Sequence, residues 1–313
     1  MPDRNGHSWE ERSRCAELPA QRRAGNRPGR RFFLGLLAAS LMLVGGCRDG
    51  DRPAAGPYRV GLLPDESAER VRAKYAPLIA HLATHTGVAL ELVIPADYGE
   101  ILALFRDGKI DFARLGGLTF IQAHLRHDAV PMVFRDTDVH FKSYFVARAD
   151  DPRRSVEDFA GASFAFGSTL STSGHLMPRH FMLEMGIEPE DHFGDVRYAD
   201  AHDRTVGLVR DRQVDLGVAN GRIVDGMLAD GRLSGGDVRI LWKTPPYPDN
   251  AWAAQASVPP DVRRRIVAAF LELDPSHPEQ GRILDDIDAG GYLPARVEDF
   301  QELIDGAREL GLL

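Results

Sequence analysis

Cysteine is almost absent from this chain: Cys15 and Cys47 are the two in 313 residues. The body of the chain therefore holds no disulfide framework and no cysteine-ligated metal site. The apolar stretch over 32–44 is shorter than the ~20 residues a spanning helix needs. No basic cluster or nucleic-acid motif relieves a composition of 38 Lys and Arg against 46 Asp and Glu, so a nucleic-acid partner is not expected. A nucleophile elbow of the G-x-S-x-G form is missing as well. Ser171, His202 and Asp203 come nearest to a triad. Adjacent His and Asp do not align easily as base and orienter, so an enzyme is not expected. His81 and His85 have the spacing of a zinc pair on a predicted helix but lack a third ligand nearby and an HExxH glutamate. Neither a metal nor a cofactor is expected.

The N-terminal part is built for export. Arg30 and Arg31 precede the stretch 32–44, and Gly45, Gly46 and Cys47 follow it. A basic region, a short apolar core and small residues before a cut describe a signal peptide, expected over 1–46. Cys47 after Val44-Gly45-Gly46 resembles a lipobox, which implies cleavage before Cys47 and its acylation. The arginine pair followed by x-Phe-Leu also resembles a twin-arginine signal, and 1–29 reads as an extended leader or a misassigned start. The expected location is the periplasmic or cell-surface side, lipid-anchored to the membrane through Cys47. Loss of 1–46 removes eight arginines and four acidic residues, so the net charge moves from −8 to −12. Residues 47–57, rich in charge, Pro and Gly, read as a linker.

Strand and helix alternate beyond the linker. A strand over 58–63 is followed by an amphipathic helix over 67–86 that buries Val71, Tyr75, Leu78, Ile79 and Leu82, with a kink or break expected at Pro77. Strands over 89–94, 110–115 and 129–134 alternate with helices over 98–107 and 120–127, which argues a parallel sheet. A second round begins after a strand over 143–148, with Ser155 as the cap of a helix start over 155–158. Strands over 163–166, 214–218 and 238–242 continue it. The proline-rich stretch 244–248 suits a crossing between lobes. A strand over 251–258 and helices near 260–273, 278–288 and 296–310 end the chain. Two rounds joined by two crossings predict a bilobal α/β fold: lobe 1 from 58–146 plus 250–313, lobe 2 from 147–249. The cleft between them is the natural ligand site.

One loop in that cleft carries most of the chemistry. The apolar strand ending at Phe166 stops at Gly167, and a helical pattern resumes around Gly174 with Leu176, His180, Leu183 and Met177 on one side. Between them stand Ser168, Thr169, Ser171, Thr172 and Ser173. Hydroxyls beside the unpaired N–H groups of a helix start favour a tetrahedral oxyanion without a lysine. The same pattern also describes an ordinary Ser/Thr-rich cap.

Several segments, taken in order, resemble one family. Ala96-Asp-Tyr98, Gly108-Lys-Ile-Asp-Phe-Ala113, Ser155-Val-Glu-Asp-Phe-Ala-Gly161 and the hydroxyl loop are its first marks. His202-Asp203, Gln213-Val-Asp-Leu-Gly217, Trp242-Lys-Thr-Pro-Pro-Tyr-Pro-Asp249 and the stretch 259–274 continue them. Together they resemble the phosphate/phosphite/phosphonate substrate-binding proteins of ABC transporters, over nearly the whole exported part. The resemblance implies a type II periplasmic-binding-protein fold. It implies that Ser171, Thr172 and Ser173 hold the oxyanion from lobe 2, that Tyr98 and Tyr144 donate phenol hydroxyls from the other side, and that His202 adds an imidazole able to share a proton with the ligand. Beside these stand plainer readings: ring packing for Tyr98, strand packing for Tyr144, a helix cap for His202 or Asp203. Asp249 either reads a cationic substituent or holds the proline-rich turn, the turn being preferred. Gly116-Gly117 stands where relatives commonly have Gly-Pro, and Asn220 stands where a charge or an aromatic ring was expected.

The resulting expectation is a lipid-anchored, monomeric receptor. It captures a small oxyanion of the phosphonate, phosphite or phosphate type and delivers it to an ABC permease. The alternative is a periplasmic sensor that feeds a signalling partner.

Overall fold

The computed structural model describes residues 56–313. The expected signal peptide, Cys47 and most of the linker over 47–57 lie outside the described residues. The first round contains β1 (Tyr58–Leu62), α1 (Ala68–Thr86), β2 (Leu90–Val93), α2 (Tyr98–Arg106), β3 (Phe112–Leu115), α3 (Gly117–His127) and β4 (Val130–Arg135). The second contains β5 (Ser143–Arg148), β6 (Ser163–Phe166), α4 (Met177–Glu184), α5 (Pro189–His192), β7 (Asp195–Tyr198), α6 (His202–Arg210), β8 (Leu216–Asn220), α7 (Gly221–Ala229) and β9 (Val238–Lys243). The chain ends with β10 (Ala251–Ala254), α8 (Pro260–Leu271), α9 (Pro278–Asp286), β11 (Tyr292–Pro294) and α10 (Gln301–Glu309).

Two sheets result, a six-stranded one ordered β11-β4-β10-β3-β1-β2 and a five-stranded one ordered β7-β6-β8-β5-β9. Each is mixed, which corrects the expected parallel sheet. β1 pairs in parallel with β2 and β3, but β10 runs antiparallel to β3 and β4. β6 pairs in parallel with β7 and β8, but β5 runs antiparallel to β8 and β9. The reason is topological. β5 and β10 are the strands that enter each sheet from the other, so they arrive without the helical crossover that makes neighbours parallel. β5 therefore belongs to the second sheet, and a lobe 1 reaching 146 divides this strand in the wrong place. The two crossings pair with each other through Phe141 and Tyr247, whose backbones exchange bonds of 2.8 and 3.0 Å.

Two local expectations change. α1 continues through Pro77 without a break. Pro77 and Ala73, whose carbonyl loses its partner, lie on the exposed face, open to solvent. Ser155 caps no helix. Only a single 3-10 turn follows, and the Asp158 carboxylate accepts the Arg154 and Ser155 amides.

Large apolar side chains fill both faces of each sheet. One cluster joins the lobes: Leu176, Met177 and Phe181 of the second round pack with Leu118, Ile121, Leu303 and Ile304. Among the described residues no helix is long and apolar enough to cross a membrane.

Candidate functional site

The hydroxyl loop leaves β6 at Gly167 and enters a π turn, Thr172–Leu176, that runs directly into α4. Ser171 stands at its N-cap, with its Oγ accepting the Gly174 amide at 2.9 Å. Gly167 and Gly174 let the two ends of the loop touch: the Gly167 amide donates to the Gly174 carbonyl at 2.8 Å. A Cβ on Gly174 would stand 2.9 Å from His202 Cε1 and 3.1 Å from Gly167 Cα. The π turn shifts the phase of the helix after it. Leu176, Met177, Phe181 and Met182 are buried, while His180 and Leu183 are half-buried, so the one-sided pattern read from the sequence does not hold along the helix. Thr172 and Ser173 are buried. Among the described residues neither of their amides has a hydrogen-bond partner, a rare condition for buried N–H groups.

These amides belong to a small cavity closed in by buried side chains. Its walls are Leu63, Asp65, Tyr98, Gly116, Asn250 and Asp249 together with Ser171, Thr172, Ser173, His202 and Asn220. Leu63 is the one aliphatic side chain among them. Larger hollows include two open surface grooves, one along α6 and one between β4 and α8, and a hollow that adjoins this cavity through Asp65 and Asn220 and is lined by Glu66, Lys74, Arg114, Arg135 and Arg222. Thr172 Oγ1 accepts the Leu118 amide at 2.9 Å, so the loop of lobe 2 docks on the N-terminus of α3.

His202 opens α6 and is buried. The Asn220 amide donates to its Nδ1 at 3.1 Å. Nδ1 is therefore an acceptor, and the proton of the neutral ring sits on Nε2, which faces the cavity. Tyr98 Oη and Ser171 Oγ each lie 3.4 Å from that Nε2. These separations are long for hydrogen bonds, which leaves the three groups free to turn to a common partner. Burial lowers the His202 pKa to about 4, against the opposing pull of Asp65. With the protein's own groups alone around it, the ring is a neutral N–H donor near pH 7. Burial likewise pushes the Tyr98 phenol well above its usual range, so it too stays a donor.

The carboxylates of the site are committed. Asp65 accepts from Arg114 NH1 at 2.9 Å. Burial opposes its charge, but Arg114 and Lys74 hold its pKa below the ordinary value. Asp249 Oδ1 accepts the Gly117 and Asn250 amides, each at 2.7 Å. Burial raises its pKa against those bonds. Asp249 therefore holds the chain at the crossing, as the turn reading has it, while also lining the cavity. The Gly117 N–H that it takes is one that a proline at that position would lack.

Of the seven predicted ligand-binding residues, Tyr98, Ser171, Thr172, Ser173, His202 and Asp249 meet at this cavity. Tyr144 does not. Its hydroxyl donates to Asp225 Oδ2 at 3.0 Å, accepts from Lys243 Nζ at 3.0 Å, and its ring packs in the core beside α7. Successive strand residues face opposite sides. It is Ser143 that points toward the loop, donating to the Ser173 carbonyl at 2.7 Å and meeting Tyr247 Oη at 2.5 Å. Asp65 and Asn250 escaped the sequence reading because their roles depend on long-range partners. Asn220 also fills its place differently from expectation: its side chain caps α7 through the Arg222 and Ile223 amides. Elsewhere, the His81 and His85 rings stack at 3.8 Å, and among the described residues no three His, Cys, Asp or Glu side chains gather to hold a metal.

Comparison with known proteins bears on this cavity. The family model described as ABC transporter, phosphonate, periplasmic substrate-binding protein matches residues 60–300. PhnD1 of Prochlorococcus marinus (strain MIT 9301), named a probable ABC transporter phosphite binding protein, is 26% identical over 265 residues, covering 80% of this chain and 89% of its own. A phosphate-import protein, PhnD, of Mycolicibacterium smegmatis is 27% identical over 255 residues, covering 75% and 79%. Among solved structures, PhnD1 of P. marinus in complex with methylphosphonate superposes with a TM-score of 0.78 at 25% identity, over 82% of this chain and 98% of that one.

Proposed function

The chain belongs to the periplasmic phosphonate substrate-binding family of ABC transporters, and from that premise we propose that its cavity holds one small phosphorus oxyanion such as methylphosphonate, phosphite or phosphate. The observation that carries the reading is the pair of buried, unpartnered amides at Thr172 and Ser173, opposite Tyr98 and beside the Nε2 of His202. Amides and neutral hydroxyl donors suit an anion in a dry site, because each charge-assisted bond there is stronger than its counterpart in water. The smallness of the cavity and its single aliphatic wall at Leu63 favour a ligand whose substituent is a hydrogen, a hydroxyl or a methyl group. Asp65 and Asp249 are engaged by Arg114 and by backbone amides, which argues against the site's being arranged for an ammonium group.

In this reading the protein works as a monomeric receptor anchored through a lipid on Cys47. It passes its ligand to a membrane permease and performs no catalysis, because the cavity offers donors but no activated nucleophile. Thermal unfolding measured against methylphosphonate, phosphite, phosphate and sulfate tests this. A ligand present at a hundred times its Kd stabilises the folded state by about 2.7 kcal/mol. A clear rise in Tm with at least one phosphorus oxyanion is expected. No rise with any of them at millimolar concentration contradicts the proposal.

A further inference from the structure

Directly beside the cavity, the two lobes are joined by a set of ion pairs that the ligand chemistry does not require. Asp65, which lines the cavity, accepts the His202 amide on its carbonyl at 3.2 Å. The next residue, Glu66, has a buried side chain that takes Lys74 on one oxygen and two arginines on the other. Arg70 Nε approaches at 3.3 Å from α1 of its own lobe, and Arg232 NH2 at 3.4 Å from beyond α7 of the other lobe. Arg70 also crosses to Asp230 Oδ2 at 2.6 Å, and Asp230 holds Arg232 at 2.8 Å. At the opposite end of α7, Arg222 NH1 reaches Asp288 Oδ2 of lobe 1 at 2.8 Å. Helix α7 is thus tied to lobe 1 at both ends.

We propose that Glu66, Arg70, Asp230 and Arg232, with the Arg222–Asp288 pair, form an ionic latch that sets how readily the cleft closes and thereby the apparent affinity for the ligand. Opening the cleft separates every interlobe pair at once but leaves Glu66–Lys74 and Asp230–Arg232 within their lobes. The latch therefore acts on the closed state alone and shifts the open–closed equilibrium without touching the ligand. Most of its members are partly exposed, so salt weakens it. The inference rests on the cavity's being an oxyanion site that lobe closure seals.

The test reads the two separately. Small-angle scattering of the ligand-free full chain reports lobe separation, and calorimetric titration with methylphosphonate reports affinity. Asp230→Lys and Arg222→Asp are expected to enlarge the radius of gyration at low salt and to weaken methylphosphonate binding by about two- to fivefold. The charge-swapped Arg222→Asp/Asp288→Arg double variant is expected to restore both, which a merely structural defect at either position would not do. High salt should move the wild type toward the single variants. Scattering that is unchanged in both single variants at low salt overturns the latch, and so does a swap that restores nothing. A scattering response without methylphosphonate binding supports the latch and counts against the ligand assignment.

Discussion

Burial keeps the His202 ring neutral and the Asn220 amide occupies its Nδ1, so acid acts on this residue in a definite direction. Its pKa falls from 6.5 to about 4 on folding. Between those values the unfolded chain binds a proton that the folded protein does not. The stabilisation is fully present above pH 6.5 and is lost as pH falls toward 4. Asp65, whose pKa is also lowered, adds a loss of the same sign in more acidic solution, whereas Asp249, whose pKa is raised, opposes it. Calorimetric Tm values taken from pH 6.5 down to 4 should fall less steeply in His202→Gln than in the wild type. Equal slopes would mean that His202 titrates normally. His202 stood out in the sequence through the family resemblance, beside a plainer reading as a helix cap, and it lines the cavity. Its charge state was not legible there, because desolvation depends on the closed cavity around it. Tyr144 shows the complementary gap. Alternation along β5 is readable, but which of Ser143 and Tyr144 faces the loop depends on the pairing with β8 and β9.

At the scale of elements, the strand–loop–helix unit that carries the Thr172 and Ser173 amides was visible as an apolar run, a glycine, five hydroxyls and a renewed helical period. The π turn was not, since it differs from an α-helical start by one residue of phase. That turn depends on Gly174, which has His202 and the Gly167 backbone against it. Gly174→Ala places a methyl group where a ring and a backbone already stand. The rigid backbone neighbour makes the loop yield, withdrawing the Thr172 and Ser173 amides from the cavity. Loss of the bonds to a charged ligand should lower its affinity by about tenfold or more. Circular dichroism should remain native, because the loop lies outside both sheets. Wild-type affinity in this variant would show that the turn does not position the donors. The mixed sheets escaped prediction for a related reason: βα alternation shows which strands have helical crossovers but not which strand enters from the other lobe.

Across the whole molecule, the order of the segments identified a bilobal receptor, yet the contacts that close it were out of reach. Thr172 on Leu118, the Asp65 carbonyl on His202, and Arg70 on Asp230 join residues 54, 137 and 160 positions apart. No local pattern encodes such pairs. They matter because an oxyanion site made of amides and hydroxyls is strong only when water is shut out. A crystal structure of the protein grown with methylphosphonate tests that arrangement most directly. The account predicts the phosphorus in the cavity between Leu63 and residues 171–173, with its oxygens within hydrogen-bond distance of the Thr172 and Ser173 amides, Tyr98 Oη and His202 Nε2. A ligand bound elsewhere, or one held in the cavity with those two amides turned away from it, would contradict it.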